Sequence, residues 1–196
     1  MKVLLHICCA PCAIGPLEAL HGEGHAVTGL FYNPNIHPLI QFRRRLKAVK
    51  VYNEREHLPM IYDEEYGLVR FLDAVHRPDE AAALQPGVRC ECCYRLRLSR
   101  AAHVAHERGM DAFTTTLLSS KHQNHEAIRR MGEEMAATHG VTFLYRDLRP
   151  LADASHEAAR RRHLYLQNYC GCIFSEWERF RDTAQHLYRG ASPTSQ

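Results

Sequence analysis

Residues 2–12 read KVLLHICCAPC, and their interpretation decides the fold. KVLLHI is a compact apolar run about as long as an ordinary β-strand of five or six residues. CCAPC follows as a loop, and Pro16 sits near the start of a helix running to about Gly22, as proline does in a first helical turn. A strand, a loop and a helix in this order form the place where nucleotide enzymes cradle phosphates. That use calls for a glycine run or a G-x-x-x-x-G-K, whereas here cysteines and a proline fill the loop. The segment reads as a nucleotide-type fold whose phosphate loop has been replaced by thiolates. ATP chemistry by this loop is not expected.

Working outward, AVTGLFY at 26–32 is a second strand, followed by the polar loop Asn33-Pro34-Asn35-Ile36-His37-Pro38. A helix over about 39–57 carries Phe42, Leu46 and Val49 on one face. Further strands are predicted at 58–63, 112–120 and 141–146. Helices are predicted at 67–76, 90–108, about 123–138, 153–166 and 173–188, with a loop at 77–88 carrying Pro78, Pro86 and Gly87. Strands alternate with helices, which implies an α/β fold: a parallel sheet with helices on both faces and additional C-terminal helices. No repeat, low-complexity tract or linker divides the chain, so residues 1–189 read as one domain and 190–196 as a disordered tail. Ligands of such sheets sit beyond the carboxyl ends of the strands. Cys8, Cys9 and Cys12 lie there after the first strand, Asn33 to His37 after the second, and Ser119 and Ser120 at the end of the strand that begins at 112.

The bulk properties of the 196 residues are those of a globular chain, 45% apolar and 24% charged, which excludes a disordered protein, a collagen or a coiled coil. No apolar run approaches the length of a membrane span. The apolar start is too short and too quickly interrupted for a signal peptide, so a cytoplasmic location is expected. A net charge of +3 permits an RNA partner without demanding one.

Eight cysteines stand at 8, 9, 12, 90, 92, 93, 170 and 172. They are about 4% of the chain, below the roughly 8–10% of a disulfide scaffold, and in a reducing compartment thiols stay free. All fall in three clusters: Cys8-Cys9-Ala10-Pro11-Cys12, Cys90-Glu91-Cys92-Cys93 and Cys170-Gly171-Cys172. The C-x-x-C spacing suits one metal or one cluster corner, and glycine in C-G-C lets backbone wrap close to a metal. Adjacent Cys8 and Cys9 do not easily bind a single ion together, but they can serve two neighbouring centres. Three groups of thiols exceed one four-ligand zinc site. From spacing alone an iron–sulfur cluster, zinc, thiol–disulfide redox chemistry (with a disulfide when oxidised) and inert packing all stay open. Cys92, between the C-x-x-C pair, reads equally well as a packing residue.

At these residues the sequence resembles the cobalamin-independent epoxyqueuosine reductases, the QueH family. The matching segments are HICCAPC at 6–12, YNPNIHP at 32–38, RCECCYRLRL at 89–98, TLLSSKHQNHEAI at 116–128 and YCGCIFS at 169–175. The joint occurrence of C-C-x-P-C, R-C-x-x-C-Y and Y-C-G-C is what makes the likeness specific. Gln41-Phe42 and Lys121-His122 depart from the family pattern, which usually has Glu-Tyr and often Pro-Tyr there.

The resemblance implies a fold of the adenine-nucleotide-hydrolase-like (HUP) type and a [4Fe-4S] cluster with an additional, thiolate-bound iron ion. It implies reduction of the epoxide of epoxyqueuosine to queuosine at the wobble position of a tRNA anticodon stem-loop, the last step of queuosine biosynthesis. An electron donor outside the chain is implied, its identity not legible. The expected cofactor ligands are Cys8, Cys9, Cys90, Cys93, Cys170 and Cys172, with Cys12 as a further ligand to the second iron. The reaction removes an epoxide oxygen as water, so it needs electrons, a Lewis acid and protons. His37, Tyr94 and His125 are the candidate proton donors. Tyr32, Asn33, Asn35, Arg95, Arg97, Ser119, Ser120 and Gln123 are the candidate substrate contacts, although asparagines beside proline also simply make turns. His6 reads as a core or supporting histidine, and Trp177 as packing of the last helix. Arg43-Arg44-Arg45 and Arg160-Arg161-Arg162 read as phosphate contacts under the resemblance and otherwise as solvated helix faces. Arg89, Arg95 and Arg97 flank the second cysteine cluster and could tune it by charge.

Three rival readings differ in observable ways. An ATP-dependent tRNA-modifying enzyme of the same fold needs the serine- and glycine-rich loop that is absent. A zinc-stabilised RNA-binding protein would be colourless and insensitive to oxygen. A thiol redox protein would hold no metal.

Overall fold

The computed structural model describes residues 1–76 and 85–183. Its centre is a sheet of five parallel strands in the order β3-β2-β1-β4-β5. These are β1 (Lys2–His6), β2 (Ala26–Phe31), β3 (Met60–Tyr62), β4 (Ala112–Thr115) and β5 (Thr142–Phe143). The helices are α1 (Ala10–Gly22), α2 (Leu39–Glu56), α3 (Leu68–Val75), α4 (Pro86–Glu107), α5 (His125–His139), α6 (Ala152–Arg161) and α7 (Ile173–Phe180). The α/β architecture with C-terminal helices is thus as the alternation predicts.

β1 is buried on both faces, which is why its sequence is a continuous apolar run. Val3, Leu5 and Ile7 join one core with α1, α2 and Ala159 of α6. Leu4 joins the other, with Leu98 and Ala101 of α4 and Ile128 and Met131 of α5. The chain crosses from one side of β1 to the other between β3 and β4, so the switch point of the sheet lies at the carboxyl ends of β1 and β4.

Local departures from the predicted elements bear on the site. The sequence predicts α1 from Pro16; the helix starts at Ala10, with Pro11 in its first turn and Pro16 inside it. An early proline costs little because the first amides have no helical partner, whereas Pro16 removes the bond to the Cys12 carbonyl. CCAPC is therefore a helix entry rather than a loop. α4 likewise begins at Pro86, ahead of Cys90. The strand predicted over 112–120 ends at Thr115, and residues Thr116–Ser119 form a 3-10 turn whose start is capped by the Thr115 side chain. β5 keeps two residues of the predicted six, and α6 ends at Arg161 rather than 166. Most of the loop predicted at 77–88, the end of the last predicted helix and the tail at 190–196 lie outside the described residues.

Candidate metal centre

The first cysteine group forms where β1 runs into α1. Cys9 has extended backbone and caps the helix, and Cys12 lies three residues on, so both side chains project to the same side. Their sulfurs are 2.6 Å apart, and Cys8 Sγ is 3.7 Å from Cys9 Sγ. All three sulfurs lie within 4.8 Å of one another. The neighbours Cys8 and Cys9, which the sequence reads as able to serve two neighbouring centres, are brought close together by the strand-to-helix turn.

Two side chains from distant segments address these sulfurs. Thr116 Oγ1, in the turn after β4, lies 3.2 Å from Cys8 Sγ and accepts from the Cys8 N–H at 3.1 Å. Gln167 donates its Nε2 to Cys9 Sγ at 2.8 Å and lies 3.6 Å from Cys12 Sγ. Hydrogen bonds from Cys12 and Cys9, opposed by burial, hold the Cys8 thiol well below its ordinary range. Burial pushes Cys9 up, and hydrogen bonding to Cys8 pushes Cys12 up. Three sulfurs this close together suit a thiophilic cation, which displaces the thiol protons when it binds. On donor chemistry, burial and spacing, these residues fit a metal.

The third group, Cys170-Gly171-Cys172, is held differently. Its sulfurs are 3.9 Å apart, and Cys170 Sγ is 3.1 Å from Ser175 Oγ. The Cys170 thiol is drawn down to about 5, first by its hydrogen bond with Cys172, which is itself pushed up. Gly171 takes φ +126, which an L side chain rarely adopts. Arg45 fixes this loop: its guanidinium donates to the carbonyls of Cys170 and Tyr169 at 2.9 and 3.0 Å, over the Tyr169 ring. A Cβ on Gly171 would sit 2.8 Å from Arg45 Nη1. Arg45 is buried, so of the basic run 43–45 it points inward rather than toward solvent.

The second group is held by Arg97. On α4 this arginine shares a face with Cys90 and Cys93, at spacings of seven and four residues. It donates to the Cys93 carbonyl and to Cys93 Sγ, both at 3.2 Å. Burial opposes its charge, yet the thiols of Cys93, Cys8 and Cys170 outweigh that and raise its pKa. One buried guanidinium thus feels all three cysteine groups. Burial pushes Cys93 to about 11 and also raises Cys90. Cys92 is buried in a small apolar cluster with Phe71, Val75 and Cys172.

The three proton-donor candidates differ in what they are free to do. His37 borders the third group: its N–H donates to the Gly171 carbonyl at 2.7 Å, and Tyr169 Oη donates to its carbonyl at 2.5 Å. Its Nδ1 meets Tyr66 Oη at 2.9 Å, and its Nε2 is buried without a partner. Desolvation lowers its pKa to about 4. Tyr94 donates to Gln123 Oε1 at 2.8 Å and accepts from the Asn124 N–H at 3.2 Å, at the start of α5. His125 Nε2 donates to the Ser120 carbonyl at 3.2 Å, and its Nδ1 is buried without a partner. His6 is fully engaged: Nε2 donates to the Tyr32 carbonyl at 3.0 Å and Nδ1 accepts from Thr115 at 2.8 Å, as suits a supporting residue.

The remaining predicted contacts are spread more widely. Asn33 donates to the Ile7 carbonyl at 2.9 Å, with its Oδ1 and that of Asn35 buried and unpartnered. Ser119 Oγ donates to the Thr116 carbonyl, and Ser120 Oγ accepts from the His122 N–H. Tyr32 lies under Arg100, with Arg70 at its hydroxyl. Arg95 turns to the exposed side of α4 and pairs with Glu134. Arg160 and Arg161 pair with Glu157, and Arg162 with Glu56. At the departures from the family pattern, Gln41 accepts from Tyr165 and Lys121 pairs with Asp153. Trp177, expected to pack, is 60% exposed.

Thr116, Gln167 and Arg45 were missed as parts of the site. The first two had a faint signal, a threonine run at a strand end and a position three residues before Cys170. Arg45 was hidden in a run that looks like a surface patch.

The sequence profile of the family Epoxyqueuosine reductase QueH matches residues 3–178. A protein of that name from Dehalococcoides mccartyi is 34% identical over 179 residues, 91% of this chain and 94% of that protein. One from Thermotoga maritima is 34% identical over 182 residues, 90% and 91% of the two chains. One from Histophilus somni is 34% identical over 185 residues, 93% and 73%. No helix among the described residues is long and apolar enough to cross a membrane.

Proposed function

The chain belongs to the epoxyqueuosine reductase QueH family, and on that premise we propose that it reduces the epoxide of epoxyqueuosine to queuosine at the wobble position of tRNA. Residues 1–189 act as one domain, in the cytoplasm, with electrons from a donor outside the chain. The observation that carries the reading is the gathering of Cys8, Cys9 and Cys12 at the sheet's switch point, with buried Arg97 donating to Cys93 of the second group.

We assign the thiols of Cys8, Cys9, Cys12, Cys90, Cys93, Cys170 and Cys172 to a [4Fe-4S] cluster and an additional iron ion. Such a centre supplies single electrons and a Lewis acid for the epoxide oxygen. The protein's own part is to hold and exclude. Thr116 and Gln167 orient the first sulfurs, Arg45 pins the third loop, and Arg97 offsets the accumulated negative charge. His37 is the proton donor of our choice. With Tyr66 Oη donating to Nδ1, the neutral ring would give up its Nε2 proton as Nδ1 takes one from Tyr66, which solvent then reprotonates. Tyr94 and His125 instead order the start of α5, where Ser119, Ser120 and Gln123 shape one wall of the site. Asn33, Asn35 and Tyr32 shape the wall after β2.

The test is to purify the chain without oxygen and measure iron, sulfide and zinc per chain with the visible spectrum, then assay epoxyqueuosine-containing tRNA. Iron near five and sulfide near four per chain, roughly the stoichiometry of one cluster and one ion, are expected with a broad absorbance. Zinc without sulfide in protein kept anaerobic throughout would overturn the reading in favour of a zinc-stabilised RNA binder.

A further inference from the structure

The helix that follows the third cysteine group has two unlike faces. Cys172 caps α7, its Sγ accepting from the Ser175 N–H. The inner face packs: Phe174 lies 6.4 Å from Phe71, Arg89 sits over the Phe174 ring, and Glu178 pairs with Arg89. The outer face does not. Ile173, Trp177 and Arg181 follow one another at intervals of four residues, on one stripe of the helix. Ile173 is 43% exposed and Trp177 60% exposed, and the Arg181 guanidinium lies 4.7 Å from the indole centroid. Trp177 is the only tryptophan in the chain.

A large exposed aromatic is costly to leave in water, and its surroundings indicate what covers it. It stands five residues beyond Cys172, about 7–8 Å along the helix axis at 1.5 Å per residue. Arg181 lies over the ring while also pairing with the exposed Asp182, and Arg179 is exposed on another side of the helix. An aromatic face beside cations suits a stacked nucleobase with its phosphate, the usual means of gripping unpaired RNA bases. An apolar protein partner would not need the arginines.

We propose that the Ile173–Trp177–Arg181 stripe is a stacking platform for an unpaired nucleotide of the anticodon loop next to the one that enters the thiol site. This rests on the tRNA reading above. Trp177 takes the base, and Arg181 braces the ring and exchanges its surface pair with Asp182 for the phosphate. The platform makes no contribution to electron or proton transfer; it sets affinity and register.

The single tryptophan makes the test direct. In the anaerobically prepared, metal-loaded full chain, the Trp177 emission should be open to quenching by acrylamide. Titration with a synthetic anticodon stem-loop RNA should change that emission and shield it. With dye-labelled RNA followed by anisotropy, Trp177→Ala should weaken binding by roughly 5- to 150-fold, the value of one stacked base. Trp177→Phe should recover most of it. An unchanged thermal midpoint and metal content in both variants would keep folding out of the comparison. If Trp177→Ala binds the RNA as tightly as the parent, or if acrylamide fails to reach the indole in the free chain, the platform is overturned while the tRNA reading stands. If the parent chain itself binds no RNA, both fall together.

Discussion

The Cys8–Cys12 group and the Cys170–Cys172 group each bring sulfurs within 4 Å of one another, by opposite means. The first stands on the sheet. A buried strand, a helix entry and a proline place its sulfurs, and hydrogen bonds from Thr116 and Gln167 address them one by one. The second stands on a loop, with glycine at φ +126 and a single buried arginine holding its carbonyls. The lesson is that a rigid scaffold can orient ligands through side-chain contacts to sulfur. A loop must first be given a shape, and Arg45 does this through backbone. The first group should therefore tolerate loss of its helpers better than loss of a sulfur, and the second should be sensitive to its backbone.

The largest effect should separate ligands from helpers. Cys9→Ser should lower metal affinity by more than the roughly 10- to 100-fold that loss of a supporting partner costs, with metal per chain as the readout. Cys172→Ser should leave metal on the first group. Equal loss from both would mean that the two groups form one indivisible site.

Acid should weaken both regions, through a different histidine in each. His6, beneath the first group, and His37, beside the third, have pKa values lowered from 6.5 to about 4, chiefly by desolvation. Each is held neutral in the fold, while the unfolded chain binds a proton below pH 6.5. Stability is therefore fully present above that pH and is lost as pH falls from 6.5 toward 4. Between pH 7 and pH 5 the loss should be about 2 kcal/mol for each histidine, read by urea unfolding of the metal-free chain. A flat profile over that interval would show that these rings are solvated.

Gln167→Ala and Thr116→Val should each cost roughly 10- to 100-fold in metal affinity at the first group and leave the Cys170–Cys172 loop unchanged. Metal titration monitored at several pH values gives a second measure. Because thiols must give up their protons to bind a metal, loading the group should release protons, and uptake should weaken as pH falls.

Gly171→Ala should cost about 1–3 kcal/mol of stability from the strained φ, and it should disturb the loop specifically. Its new methyl group would press on Arg45. Thermal unfolding measures the first consequence, and the reactivity of Cys170 toward a thiol reagent the second. An unaltered Cys170 reactivity would show that the loop does not depend on this contact.

Much of this was legible in the chain itself. The order of strands and helices, the thiols at strand ends and the family likeness are written in local patterns, because periodicity and motif spacing are properties of neighbouring residues. Sequence alone did not bring Cys8 and Cys9 together, since adjacent side chains on a strand diverge and only the early start of α1 turns them to one point. Nor did it bring Thr116 to Cys8 or Gln167 to Cys9, contacts across 108 and 158 residues. The three arginines at 43–45 look alike in sequence, yet packing of α2 sends Arg45 inward. Trp177 looks like a core residue, yet α7 turns Phe174 inward and leaves the indole in water. Composition and spacing determined what chemistry the chain carries. The packing of helices against the sheet decided which of its groups meet, because contacts between distant segments depend on the whole fold.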